Sequence, residues 1–314
     1  MSSQDITQQL ILTINELSKP QALQGLFHEH RDGDPLPSAS ELEEIIGLSR
    51  SILFPGFFGR SSVNTDTIKY QIGVNVEKLH KLLSRQVMAG LCFNEDCHCP
   101  NAADKRVCMK EEADNIAGRV IEKFPTLRKT LSTDIQAAFD GDPAASNQGE
   151  VISCYPAVKA IINYRLAHEL VLENVPLIPR MITEMAHSET GIDIHPAASI
   201  GSYFTIDHGT GVVIGATCII GNHVKLYQGV TLGAKSFPLD KEGKPIKGIP
   251  RHPILGDNVV VYANATVLGR ITIGRDCVIG ANVWVTRDMR PKSKKYKQTK
   301  VDILNTDFDN GGGI

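Results

Sequence analysis

Two imidazoles, His195 and His208, stand in a stretch otherwise built of small and aliphatic residues, GIDIHPAASIGSYFTIDHGTGVVIG (191–215). Packing does not need an imidazole. Proton transfer does, because histidine titrates near neutrality and can take a proton from a weak nucleophile such as a hydroxyl. His208 follows Asp207 and precedes Gly209 at a point where the surrounding repeat loses its phase. A bulge there exposes a side chain that a regular repeat would tuck away, so His208 is the expected general base. The alternative is a turn histidine bonded to backbone. Asp193 lies fifteen residues earlier. At about 18 residues per coil, and allowing for the slip, it can sit beside His208 from the preceding coil. His195 stands before Pro196 and reads as a structural turn residue. A third cluster, Cys92, Cys97, His98, Cys99 and Cys108, is dense in soft ligands. It lacks a standard C-x-x-C spacing, and helix-end thiols are the expected state rather than a metal site.

These residues need a frame, and the chain changes period to supply one. Residues 1–190 read as an α-helical domain. SELEEIIGLSRSIL spaces Leu42, Ile45, Ile46 and Ile52 as a helix does, with Ser40 as the expected N-cap. Further helical runs follow around IKYQIGVNVEKLHKLLSRQVMAGL and EEADNIAGRVIEKFPTLRKTLSTDIQAAF. FPGFFGR and DGDPAASNQGE break the pattern, and Pro156 opens another helix. From Ile192 aliphatic residues fall six apart: Ile194, Ile200, Ile206, then Ile214, Ile220, Leu226, Leu232, and later Leu255, Val261, Val267, Ile273, Ile279 and Val285. This is the signature of a hexapeptide β-helix, in which each inward aliphatic residue stacks on the one a full coil away. The predicted fold is α+β: the helical domain, then a left-handed parallel β-helix over 191–290. An inserted loop at 233–253 and a flexible tail over 291–314 complete the organisation. A loop of that length inside a regular repeat is usually functional.

Composition sets the outer bounds. The chain has 314 residues, a net charge of −2, and 42% hydrophobic against 22% charged residues. That permits a sizeable core and gives no basic field for nucleic acid or anionic membrane. No apolar run approaches the roughly 18 residues of a membrane span. The start MSSQDITQQL has no basic and apolar leader pattern, and seven cysteines in so large a chain read as reduced thiols. A cytoplasmic location is expected.

The motifs together resemble the serine acetyltransferases of the hexapeptide-repeat acyltransferase family, in its branch with a long N-terminal extension. The resemblance rests on GDPAA (141–145), DIHPAASIG (193–201), IDHGTGVVIG (206–215), LYQGVTLGA (226–234) and PRHPILGDNV (250–259). Two features depart from the family pattern. Ala216 stands where a glutamate is usual, and PKSKKYKQTK follows the last coil in place of GVPA. The resemblance implies transfer of acetyl from acetyl-CoA to L-serine. His208 would be the base, Asp193 would orient its imidazole, and His252 would be a second active-site histidine. Asp142 and Asp207 would hold the serine ammonium and Arg251 its carboxylate. Gly233, Ala234, Ala263 and Ala281 would line the path of CoA, and no metal is expected. It further implies a homotrimer or dimer of trimers with the site between subunits, feedback inhibition by L-cysteine, and capture of O-acetylserine sulfhydrylase by the tail ending Ile314. Three alternatives are a hexapeptide acetyltransferase for another hydroxyl such as a sugar, a γ-type zinc carbonic anhydrase, and a non-catalytic scaffold. The RHP and GDPAA motifs argue against the first. His208, His223 and His252 lack the zinc spacing of the second, and the retained polar set argues against the third.

Overall fold

The computed structural model describes residues 3–24, 26, 35–59, 63–93, 102–236 and 238–296, in two compact units, Met1–Pro35 and Leu36–Ile314. The first unit holds α1 (Ser3–Leu17) and α2 (Pro20–Leu23). The second opens with α3 (Ala39–Leu53), α4 (Ile68–Phe93), α5 (Ala102–Glu122), α6 (Phe124–Gly141), α7 (Gln148–Cys154), α8 (Pro156–Leu172) and α9 (Ile178–Thr190). The apolar stripe of α3 is buried as its spacing predicts. Its N-cap is Ser38 rather than Ser40: the Ser38 hydroxyl accepts from the Glu41 N–H, which places Ser40 inside the first turn. The long run ending in QAAF divides into α5 and α6, because Pro125 fits a first turn and cannot donate within a helix interior.

After α9 the chain winds as a three-faced parallel β-solenoid. The first face holds β1 (Asp193–Ile194), β4 (Val213–Ile214), β7 (Thr231–Gly233), β10 (Thr266–Leu268) and β13 (Trp284–Val285). The second holds β2 (Ser199–Ile200), β5 (Ile219–Ile220), β8 (Ile254–Leu255) and β11 (Thr272–Ile273). The third holds β3 (Thr205–Asp207), β6 (Lys225–Tyr227), β9 (Val260–Val261), β12 (Val278–Ile279) and β14 (Lys294–Lys295). Register is set by the aliphatic ladder: Ile194 opposes Ile214, Ile214 opposes Leu232, Leu232 opposes Val267, and Val267 opposes Val285. Every aliphatic residue of the six-residue pattern is buried. Such columns stabilise the solenoid only when neighbouring coils are present, since one coil alone cannot cover its inward face. The pairing of β14 with β12 carries the solenoid past residue 290, where the repeat read from the sequence ends. The insertion leaves after β7, turns back through a bridge between Leu239 and Pro245, and re-enters at β8.

A buried ion pair fastens the helices to the first coil. The Arg165 guanidinium donates to both Asp134 oxygens at 2.7 and 3.0 Å and to the carbonyls of Ile200 and Gly201. Asp134 also accepts the Phe204 N–H, and Tyr164 donates to the Ala198 carbonyl. Buried charges survive only when so fully hydrogen-bonded. The consequence is that α6, whose C-terminal end carries Asp142, is held against β3, which carries Asp207. Among the described residues no helix is long and apolar enough to cross a membrane.

Candidate active site

The first group of polar residues gathers where the third face turns into the first. Leu226 to Leu232 takes six residues around this corner, but Ile206 to Ile214 takes eight. The two extra residues make the bulge that the broken phase predicts. His208 sits there at φ 57° with its side chain 74% exposed. A left-handed φ is uncommon for a residue with a Cβ and marks a position held by its surroundings. Gly209 is required next to it: at φ 94°, a Cβ would stand 2.4 Å from the Ile192 side chain. The His208 Nε2 lies 3.7 Å from an Asp207 oxygen, and the other Asp207 oxygen lies 3.0 Å from the Lys225 ammonium. Asp142, just past the end of α6, accepts the Ala144 N–H at 2.8 Å and the Tyr155 hydroxyl. The Tyr155 bond and then the Ala144 N–H hold the Asp142 carboxyl below the usual carboxylate range. In turn Asp142 pushes the Tyr155 phenol up to about 12. This corner thus presents an exposed imidazole and two partly exposed carboxylates.

The second group gathers where the first face turns into the second. Here the Thr217 hydroxyl accepts the N–H groups of Arg251 (2.9 Å) and His252 (3.1 Å). Its own proton points to the His252 Nδ1 at 2.9 Å, and the Thr217 N–H also donates to that nitrogen at 3.1 Å. With Nδ1 accepting, the neutral ring carries its proton on Nε2. His252 is only 7% exposed, and burial, then the charges of Arg251, His195 and Arg270, push its pKa down to about 4. It is therefore a neutral donor near pH 7. Gly215 leaves room for it, because a Cβ there would stand 2.0 Å from the ring. Arg270 clamps the corner by donating to the carbonyls of Thr217 and His252. The neighbouring His195 takes the Ala197 N–H on Nδ1, the arrangement of a turn-capping histidine. Burial and then Arg180 depress its pKa too.

The two groups lie at opposite edges of the first face. A strand rises about 3.3 Å per residue, so a face of five or six residues separates them by roughly 15–20 Å. One chain therefore does not bring His208, Asp142 and Asp207 together with Arg251 and His252 on a small substrate. Nor does it bring Asp193 within ion-pair distance of His208. Asp193 on β1 faces α9, where its carboxylate is 3.6 Å from Arg180. Glu184, His187 and Asp193 lie close enough to share a cation, but Arg180 already pairs with both carboxylates. Of the four residues read as a CoA path, Gly233 ends β7 and Ala234 follows it, beside the second corner. Ala263 and Ala281 stack at the first, with the Ala263 carbonyl accepting from Asn282. Cys97, His98, Cys99 and the tail from 297 through Ile314 lie outside the described residues.

Sequence reasoning missed Tyr155, Thr217 and Lys225. None stands in a motif; each is identified only by what it touches.

The hexapeptide model of bacterial transferases (six repeats) matches residues 252–287. A plasmid-encoded serine acetyltransferase of Synechococcus elongatus is 45% identical over 89% of this chain and 86% of its own length. Among solved structures, serine acetyltransferase 1 of Entamoeba histolytica in complex with L-cysteine superposes with TM-score 0.70. It is 36% identical over 91% of this chain and 95% of that one. Isoform 3 from the same organism, also with cysteine, gives 0.66 at 35% identity over 82% of each chain. On that breadth of similarity the chain belongs to the serine acetyltransferase family.

Proposed function

We propose how this chain carries out its activity as a serine O-acetyltransferase, an acyltransferase forming O-acetyl-L-serine for cysteine biosynthesis. The observation that carries the activity is 45% identity over nearly the whole chain to a serine acetyltransferase. The residue roles are our reading. His208 takes the serine hydroxyl proton while the oxygen attacks the thioester carbonyl of acetyl-CoA. The tetrahedral oxyanion collapses, the C–S bond breaks, and the imidazolium returns its proton to the leaving CoA thiolate. Asp142 and Asp207 hold the substrate ammonium, and Arg251 grips its carboxylate with a guanidinium fork. Neutral His252 donates through Nε2. The family pattern gives the orienting role to Asp193; in this conformation Asp207 is nearer, and Asp193 serves only after leaving Arg180.

The separation of the two corners supports a site completed between two copies of the chain, as in a trimer: His208 and the acidic pair come from one copy, Arg251 and His252 from its neighbour. CoA then runs along the first face past Gly233, Ala234, Ala263 and Ala281. L-Cysteine shares serine's ammonium and carboxylate and competes at the same groups. The tail ending Ile314 supplies a terminal carboxylate and one apolar anchor for a sulfhydrylase pocket. The direct test is release of free CoA thiol from acetyl-CoA by the purified protein. Release dependent on L-serine is expected. A protein that binds CoA yet releases thiol only with a sugar or another hydroxyl would overturn the substrate.

A further inference from the structure

Lys225 is far from both motifs in sequence and central to the acidic group in space. Its ammonium is 2.7 Å from the Gly141 carbonyl at the end of α6 and 3.0 Å from the Asp207 carboxylate on β3. It also lies 4.6 Å over the ring of Tyr227, which in turn stacks on Tyr262 at 4.9 Å. Only 18% of the side chain is exposed. Burial works against its charge, but Tyr227 and Asp207 outweigh it and hold the lysine pKa above its ordinary value. The ammonium meets a helix C-terminus, where a cation is favoured, and fixes the residue immediately before Asp142. Two carboxylates brought to one place repel. A single half-buried cation against both supports offsets part of that repulsion and leaves the cluster one net negative charge, the complement of one substrate ammonium.

We infer that Lys225 is a positioning residue for substrate: it locks the C-terminal end of α6 to β3 so that Asp142 and Asp207 converge on the ammonium of the amino-acid acceptor. This rests on the assignment of those two carboxylates to that ammonium. Lys225 does not touch the acetyl donor. The electrostatic and positional effects of removing it have opposite signs. Deleting a positive charge beside two carboxylates would by itself tighten ammonium binding, whereas freeing the two acids from each other weakens it. The inference commits to the second.

The test is Lys225→Met, which keeps the length and removes charge and donors, read by kinetics and by calorimetric L-serine binding. The KM for serine should rise about tenfold, as displacements near 1 Å can cost up to about 100-fold, with a matching loss of affinity. The kcat should stay within about threefold and the KM for acetyl-CoA should not move. Lys225→Arg, which keeps a cation able to reach both partners, should recover most of the serine affinity. Tyr227→Leu removes the ring under the ammonium and leaves the acids untouched. It keeps the inference testable if Lys225→Met does not fold, with an expected rise of about threefold in serine KM. Serine affinity unchanged or improved in the folded variants would overturn the role of Lys225. So would a fall in kcat and in thermal stability accompanied by a rise in both KM values, the mark of a merely structural residue. Wild-type protein that binds serine without acetylating it would count against the active-site reading alone, because the binding measurement still reports on Lys225.

Discussion

The two polar corners of the solenoid solve opposite problems. At the His208 corner the chain uses two extra residues to push an imidazole into solvent, and the nearest charged group among the described residues is Asp207 at 3.7 Å. At the His252 corner the ring is buried, held through Nδ1 by Thr217, and kept neutral. One imidazole stands in solvent; the other is fixed in one tautomer and can only donate. The difference teaches that the same residue type, on the same repeat, takes its chemistry from how its corner is built. It also predicts that damage to the two corners will look different in the laboratory.

The sharpest way to break the comparison is His208→Asn. Asparagine tolerates the left-handed backbone, so the variant should fold as the wild type does while kcat falls about 10²–10⁴-fold. Thiol release beside a thermal melt reads both, and retention of activity would remove His208 from the role of base. Next in size is complementation. Chains carrying His208→Asn and chains carrying Arg251→Gln should each be nearly inactive. Mixed and reassembled, they should regain about a quarter of wild-type activity, because two chains drawn independently give one intact pairing in about four. No recovery in a verified mixed oligomer would place both corners in the service of one chain.

Thr217→Val should act on stability first. It strips the acceptor from two backbone N–H groups and the hydroxyl from the His252 Nδ1. A loss of about 2–3 kcal/mol by denaturant titration is expected, with activity falling alongside. Tyr155→Phe should be milder and confined to the first corner, with serine KM rising roughly three- to tenfold. The Tyr155 hydroxyl depresses the Asp142 pKa, so its removal should move the acid limb of kcat/KM toward higher pH. The smallest effect is on stability against pH. The folded pKa of His252, about 4, lies below the unfolded value near 6.5. The unfolded chain therefore binds more protons between them, and stability present above pH 6.5 is lost as pH falls toward 4. A loss of about 1 kcal/mol is expected by roughly pH 5.8, and it should be absent in His252→Gln.

Much of this frame is legible in the residues themselves. The six-residue aliphatic ladder names the solenoid coil by coil, since only inward positions must be apolar and the repeat makes them periodic. The lost phase after Ile206 marks the bulge at His208 for the same reason. The cap of α3 lies two residues before Ser40, and Pro125 divides a run whose spacing alone reads as continuous, because local signals tolerate such shifts. Lys225 and Thr217 carry no local signal at all. A lysine before an aliphatic strand residue and a threonine after a turn are common, and their partners lie 84 and 34 residues away in the chain.

By itself, then, the sequence determined the helical first half, the β-helix of the second, the place of the insertion and the identity of the exposed histidine. These follow from periodicity and from residue chemistry, which act over a few positions. Only the tertiary structure decided that Asp193 faces Arg180, that Tyr155 and Lys225 support the acidic pair, and that the two corners stand a face apart. Those outcomes depend on how helices dock on coils and coils stack on one another. The energies that set them come from contacts between residues that no local pattern relates.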